Sequence, residues 1–416
     1  MQQDVVATVP IRPRLTLSLL SVQHALIHGQ SALYPIVFLA LIDEFGVTAG
    51  TIAILVAISS ILTGSLQLAF GVLTRWISRR TLLAAGGVLL GVTTTAQALA
   101  SSFLAFVVVN LASRLGGAPQ HPVGNALLAE QYPERRRGFA ISAHIAGGNV
   151  GTVVIGVVAT AAVATLGWRA AVALLGVPAI FVAVAIALLV RESGEDREHA
   201  IAAGSARSLY RRVVADRNLR WLFLSSVLGG GARGLGVLNV FVPLYLSEVV
   251  GLDLPTIGAM YAVLLAASVP GPLVAGWLSD RYGRKPLIVG VYLAGASSLA
   301  LFVAVGSSLP LLWVAIVLLS TFSFVESPQL QALLADITPA GVRDAAYSTY
   351  FALAFGVGSM WGLIYGGLTQ GFGAGLGLPL VFVVMASASL LAAASVLPIR
   401  MPRGGPKAEA WPEPPA

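Results

Sequence analysis

The 416-residue chain contains no cysteine, and charged residues make up only 10% of it. The first absence removes disulfides and thiolate metal sites and leaves the redox compartment open. The second separates the chain from ordinary soluble domains, in which about a quarter of the residues are charged. A Gly-x-x-x-x-Gly-Lys-Ser/Thr loop is also missing, which argues against an ATP-driven pump. No nucleophile–base pair stands out, so the chain does not read as an enzyme and no cofactor is expected. The N-terminal stretch MQQDVVATVPIRPRL lacks the apolar core and small-residue cleavage site of a secretory signal, and reads as a retained cytoplasmic leader.

What fills the chain instead is apolar residues, 57% of the total. Cutting wherever runs of roughly 20 apolar residues, the length that crosses a bilayer, are broken by charge, Gly or Pro predicts twelve spans. They lie near 15–41, 50–74, 81–100, 103–130, 139–165, 169–190, 219–247, 255–278, 287–306, 311–335, 345–370 and 378–398. Of the 25 Lys and Arg residues, 22 fall on the side that holds both termini. The positive-inside rule makes that side the cytoplasm, and the expected location is a bacterial cytoplasmic membrane. The pI near 10 therefore reflects topology and not nucleic-acid binding. Arg169 is left outside, while Arg114 and Arg233 fall within the membrane.

The polar segment 191–218 divides the spans six and six, with an amphipathic run at SLYRRVVADRNL suited to the inner membrane surface. The predicted organisation is a six-helix bundle over 1–190, this linker, a second bundle over 219–398, and a Pro-rich disordered tail over 399–416. An internal repeat runs across the linker. Residues 125–142 and 331–348 agree at 8 of 18 positions with an offset of 206, and GVLTRWISRR at 71–80 aligns with GWLSDRYGRK at 276–285. His28 is the repeat mate of Arg233. Small residues cluster on span 5 (Gly147, Gly148, Gly151, Gly156) and span 11 (Gly356, Gly358, Gly362), as close helix approach in lipid requires, although a Gly-rich chain shows such spacings by chance too.

The loop between spans 8 and 9 carries Gly276, Leu278, Asp280, Arg281, Gly283, Arg284 and Lys285. It resembles the G-x-L-x-D-R-x-G-R-K signature of the major facilitator superfamily of transporters. That resemblance implies an all-α membrane protein of twelve helices in two pseudo-symmetric bundles, with a solute site between them and alternating access by rocking. Within the superfamily, His121, Pro122, Arg136, Arg137, Gly147, Gly148, Asn149 and Gly151 are similar to the fosmidomycin-resistance branch. Two residues depart from the pattern, Arg114 in span 4 and Arg75 where the loop signature has Asp.

By this resemblance spans 1, 4, 7 and 10 line the cavity. An intramembrane arginine costs roughly 2.5–3.5 kcal/mol on insertion scales and needs a partner. Glu326 is the one carboxylate deep in a span, so it is expected to pair with Arg114 or Arg233 and to carry the proton; a fixed structural bridge is the competing reading. Two guanidiniums against one carboxylate favour an anionic or zwitterionic solute. Substrate contacts are expected from Arg233, Arg114, His28, Gln120 and Trp361, with His121 and His24 as further proton carriers. His24 and His28 are one helical turn apart, but with no third ligand at sensible spacing a metal site is not expected. Asp280 is expected to face the helix start of span 5, helped by Arg135 to Arg137, while Arg75 meets Asp344, with Asp336 in reserve, in a charge-reversed second latch.

The function these features predict is secondary transport of a small organic anion, with protons as the coupling ion and efflux as the direction; an uptake symporter and a non-transporting sensor are the alternatives. The expected partners are the solute, protons and lipid, with no nucleic acid, and the expected state is a monomer.

Overall fold

The computed structural model describes residues 10–202, 204–358 and 360–401. The tail read as disordered lies, from residue 402 on, outside the described residues, as do the first nine residues of the leader. Every regular element among the described residues is helical.

The first half opens with α1 (Pro13–Phe45), whose N-terminal proline suits a position with no N–H to satisfy and which ends at Gly46 in the left-handed conformation, φ +64°. Then come α2 (Ala49–Leu73), α3 (Arg79–Gln97) and α4 (Phe103–Gly117), each capped by the hydroxyl of Thr48, Ser78 or Ser102 accepting from the third N–H of the turn. Next are α5 (Pro122–Gln131) and α6 (Glu134–Leu189), which bends at Gly167 into two spans. The linker forms α7 (Glu195–Ala202) and α8 (Ala206–Ala215). The second half holds α9 (Arg217–Gly229), α10 (Asn239–Glu248), α11 (Leu254–Ala266), α12 (Pro270–Tyr282), α13 (Arg284–Ala304), α14 (Leu309–Phe322), α15 (Glu326–Ile337), α16 (Arg343–Ala352) and α17 (Met360–Val396), the last bent at Gly373. This is the twelve-span architecture, although only nine helical stretches among the described residues are long and apolar enough to cross a membrane by composition. One of these, Ala340–Val396, covers two spans. The spans built on α3 and on α4 with α5 are not among them; α3 carries Arg79, Arg80 and Gln97, and the other carries Asn110, Arg114, Gln120 and Asn125.

The structure interrupts several predicted spans. Span 4 breaks between α4 and α5 at 118–121, span 7 between α9 and α10 at 230–238, and span 10 between α14 and α15 at 323–325. A break within lipid exposes backbone groups that must find partners. Here the Gly234 N–H donates to the Ser323 carbonyl at 2.8 Å, so the breaks of spans 7 and 10 repair one another.

Glycines set the approach of α1 to α6. A Cβ at Gly147 would lie 2.8 Å from the Ser21 Cβ, one at Gly148 would lie 2.9 Å from the His24 ring, and Gly151 abuts the Ala25 carbonyl. Gly156, Gly356 and Gly362 instead have nothing within 4 Å of where a Cβ would stand, and Gly362 lines the cavity between the halves, so spacing alone does not mark a packing glycine. On the linker, α8 buries Leu209 and Val213, and the Tyr210 hydroxyl donates to the Leu68 carbonyl of α2 at 2.5 Å.

Candidate transport site and its latch

Between the halves lies a cavity of about 680 Å³ whose wall includes Phe38, Ser59, Thr63, Arg114, Arg233 and Phe355. Arg233 stands in the break of span 7 with extended backbone (φ −69°, ψ 133°), which frees its side chain from the helix face. Its Nε donates to Glu326 Oε1 at 2.9 Å and its Nη2 to the Ser226 carbonyl at 3.4 Å. Glu326 is the first residue of α15, where unpaired N–H groups favour negative charge. The bridge is asymmetric in exposure. The Glu326 side chain is 5% exposed and that of Arg233 20%, so the arginine presents the remainder of its fork to the cavity.

Arg114 reaches the same cavity from α4. Its Cζ lies 5.0 Å from the Tyr34 ring centroid, a cation–π contact. Among the described residues no carboxylate pairs with it, and its buried Nε has no hydrogen-bond partner. The cavity wall thus holds two guanidiniums, one of them tied to the buried Glu326 behind it, and one positive charge is in surplus.

Other residues expected at the site are turned elsewhere. Gln120 is buried and donates to the Leu20 carbonyl at 2.8 Å. Trp361 spends its N–H on the Val227 carbonyl at 2.7 Å and stacks on Tyr365. Tyr347 and Tyr350, which precede Trp361 in the same span but were not among the expected contacts, pack in the core, the Tyr347 hydroxyl donating to the Gln331 carbonyl. The polar groups of Gln120, Trp361 and Tyr347 serve helix backbones instead of the cavity wall. The histidines form one cluster: the His24 ring centroid lies 4.5 Å from that of His28, 4.7 Å from His121 and 4.4 Å from His144. The expectation that the α1 pair lacks a third ligand is therefore corrected. Sequence spacing could not find His121, which arrives from another span.

At the basic end the halves are shut against one another. Asp280 accepts from the backbone N–H groups of Gly138 and Phe139 at 3.0 and 2.8 Å, at the start of α6, and pairs with Arg284 at 2.5 Å. Gly276 allows this approach, since a Cβ there would lie 2.7 Å from the Ser142 Oγ. Gly283, at φ +97°, turns the chain into α13. Arg284 also binds Asp336 at 2.8 Å and the Glu134 carbonyl at 2.9 Å. Lys285 caps the last helix through the Leu397 and Ile399 carbonyls, and Arg281 lies over the Trp277 and Tyr282 rings, so neither joins the latch.

The pairing of Arg75 with Asp344 is not what the structure holds. Asp344 is taken by Arg79, through Nε to Oδ1 and Nη2 to Oδ2, both at 2.9 Å, and Arg79 also binds Glu130. The physical reason lies in the repeat: Arg79 is the mate of Arg284 and Glu130 the mate of Asp336, so both halves build the same arginine–acid pair. Arg79 sits on the first turn of α3, placed for a two-pronged bond, whereas Arg75 lies in the turn before it, with Nη1 buried and unpartnered. Asp336 pairs with Arg137 at 2.6 Å, not with Arg75. The sequence reading did not single out Arg79 or Glu130 as latch residues, although the alignment of the halves carried the signal, and it placed Arg137 beside Asp280 where the structure pairs it with Asp336. It also missed that Asn125 donates to Gln331 at 2.6 Å, a residue touching its own repeat mate and so lying on the pseudo-two-fold axis.

A polytopic helical carrier with duplicated halves, a charged cavity between them and a latch at one end is the class this arrangement defines. The sequence pattern of the Major Facilitator Superfamily matches residues 20–363, and in a second alignment 222–415; the chain belongs to that family. It is a multi-pass membrane transporter of the secondary type and not an enzyme. It is 25% identical over 283 residues to a protein of Escherichia coli (strain K12) named "Probable L-galactonate transporter", spanning 62% of this chain and 61% of the relative. It is 25% identical over 211 residues to the cis,cis-muconate transport protein of Acinetobacter baylyi, spanning 49% of this chain and 50% of the relative. In fold it is similar to the transporter FucP in the outward conformation, with a TM-score of 0.77 at 14% identity, covering 91% of this chain and 97% of that one.

Proposed function

We propose that the protein moves a small organic anion across the bacterial cytoplasmic membrane by proton-coupled alternating access, with the basic end and both termini in the cytoplasm. The observation that carries this reading is the surplus guanidinium in the cavity: Arg233 is tied to Glu326, and Arg114 faces the same space with no carboxylate partner among the described residues. A planar fork in a low-dielectric cavity suits a carboxylate or phosphonate. Two relatives named for galactonate and muconate, both carboxylates, support the same class. Glu326 is the proton carrier in this reading. Protonating it releases Arg233 to the solute, and losing the proton restores the bridge. Arg233 and Arg114 bind the solute, while His24, His28 and His121 lie in the half that carries Arg114. Export is the proposed direction, from the likeness of residues 120–156 to the fosmidomycin-resistance branch.

The test is reconstitution into liposomes holding a pH-sensitive dye, challenged with a panel of aldonates, dicarboxylates, phosphonates and cationic drugs. Anion-dependent proton movement, absent with the cationic drugs, is the expected outcome, and opposed proton and solute fluxes distinguish export by exchange from import by symport. Proton movement driven by cations but not by anions would overturn the substrate class.

A further inference from the structure

We propose that His24, His28 and His121 form a binding site for a borderline divalent transition-metal cation of the zinc type, inside the first half of the protein. Each residue offers one ring nitrogen, and the three nitrogens lie within 4.8 Å of one another. Three imidazoles around a tetrahedral ion with metal–nitrogen bonds of about 2.0–2.1 Å stand roughly 3.4 Å apart. The cluster therefore has to tighten by about an ångström. His28 and His121, which are only partly buried, have the freedom to do so.

The hydrogen bonds fix which nitrogens are free. His24 Nδ1 lies 2.9 Å from the His144 carbonyl, which only accepts, so Nδ1 carries the hydrogen. That leaves the buried Nε2 with its lone pair and no partner. His28 Nδ1 lies 3.3 Å from the Thr152 hydroxyl, whose own hydrogen goes to the Gly148 carbonyl. Nδ1 of His28 is therefore the donor and Nε2 again the free ligand. His121 Nδ1 is buried and unpartnered. Metal-binding histidines show this same pattern, one ring nitrogen anchored to a carbonyl or hydroxyl and the other open. Three neutral nitrogens without an oxygen ligand select zinc, cobalt, nickel or copper over magnesium or calcium.

Neighbouring residues hold the cluster in place. Gly148 makes room for the His24 ring, His144 stacks against it, and the Phe351 and Phe355 rings of the second half cover His121 at 5.0 and 5.3 Å. All three ligands belong to the first half, so an ion bound there travels with that half, while the phenylalanine cover belongs to the other. The site does not depend on which solute the cavity carries.

The chain suits a direct test, since it has no cysteine and His199 is its one histidine outside the cluster of His24, His28, His121 and His144. Full-length protein purified without a histidine tag and stripped with chelator is titrated with Co²⁺, followed by its visible ligand-field bands, and then with Zn²⁺ in competition. Expected are one equivalent of Co²⁺ with tetrahedral intensity, displaced by Zn²⁺. His28→Gln and His121→Gln should each weaken affinity tenfold or more, Thr152→Val several-fold, and His199→Gln not at all. A Zn²⁺-dependent rise in melting temperature in the parent, absent from His28→Gln and His121→Gln at unchanged metal-free melting temperature, separates lost ligands from lost folding. No saturable equivalent, binding removed by His199→Gln, or binding unchanged in both cluster variants would each overturn the site.

Discussion

Replacing Asp344 by alanine should open the basic end of the protein, and by an amount the structure allows one to work out. Asp344 joins Arg79 across the halves by two bonds of 2.9 Å, with the side chains 10% and 5% exposed. A hydrogen bond to a charged group contributes about 1.5–3 kcal/mol net. Arg79 keeps its second acid, Glu130, so the loss is nearer one such bond than two, roughly 2 kcal/mol. That corresponds to about a 30-fold rise in the ratio of open to closed protein. Ser348, fully buried on α16 where a Cβ on Gly71 of α2 would lie 2.8 Å from its Oγ, is a reporter position between the halves. In this cysteine-free chain, the rate at which Ser348→Cys reacts with a thiol reagent reads the open fraction. Asp344→Ala and Arg79→Ala should each speed labelling by about 30-fold, and the double variant should gain little over either single one. Arg75→Ala should change the rate by less than about twofold and add independently. If Arg75→Ala opens the protein and couples to Asp344 while Arg79→Ala does neither, the assignment of the latch is wrong.

Three further outcomes are expected. Glu326→Gln should abolish anion-driven proton movement in liposomes while solute exchange persists; unchanged proton movement would remove Glu326 from the coupling. Arg114→Ala should weaken binding of the transported anion by tenfold or more, and Arg114→Lys should fall between, because lysine keeps the charge without the planar fork; equal binding in all three proteins, measured calorimetrically, would make the arginine structural. Gly276→Ala should drive its methyl group into Ser142 and the Gly138 carbonyl, 2.7 and 2.9 Å away, and so raise Ser348→Cys labelling even with every latch charge intact.

The legible parts of this fold are those set by long-range composition. Twelve spans, two halves and a basic end follow from hydropathy, charge and the repeat, because lipid imposes length and apolarity on each span. The acid at Asp280 was legible through its motif, and the pairing of Glu326 with an arginine through the cost of unpaired charge in a membrane, but not the choice of Arg233 over Arg114. Helix breaks were not legible. Residues 323–325 carry no Gly or Pro, the glycines and Arg233 of 230–238 sit inside a stretch long enough to read as one span, and the backbone bond from Gly234 to Ser323 that makes the breaks tolerable joins residues 89 apart in sequence. The histidine cluster was hidden for a related reason, since its four members come from α1, the junction of α4 and α5, and α6. Local spacing carries no information about such meetings. The choice of Arg79 over Arg75 was written in the alignment of the halves, but position in the loop motif drew attention to the wrong arginine.

One helix ties the cavity to the latch. Glu326 begins α15, Gln329 and Gln331 stand along it, and Asp336 lies near its end. Ten residues of α-helix separate Glu326 from Asp336, a rise of about 15 Å. Along that length α15 bonds the other half three times, through Gln329 to Ser142, Gln331 to Asn125, and Asp336 to Arg137. Its far acid also takes Arg284, the residue that holds Asp280. A packed helix is stiff enough to move as a unit. Any displacement of its first turn on loss of the Arg233 bridge is therefore felt at each of these contacts. Coupling between distant sites requires an element with two arrangements that both sites bias. α15 meets the structural half of that requirement, since the cavity bridge holds its start and the latch holds its end.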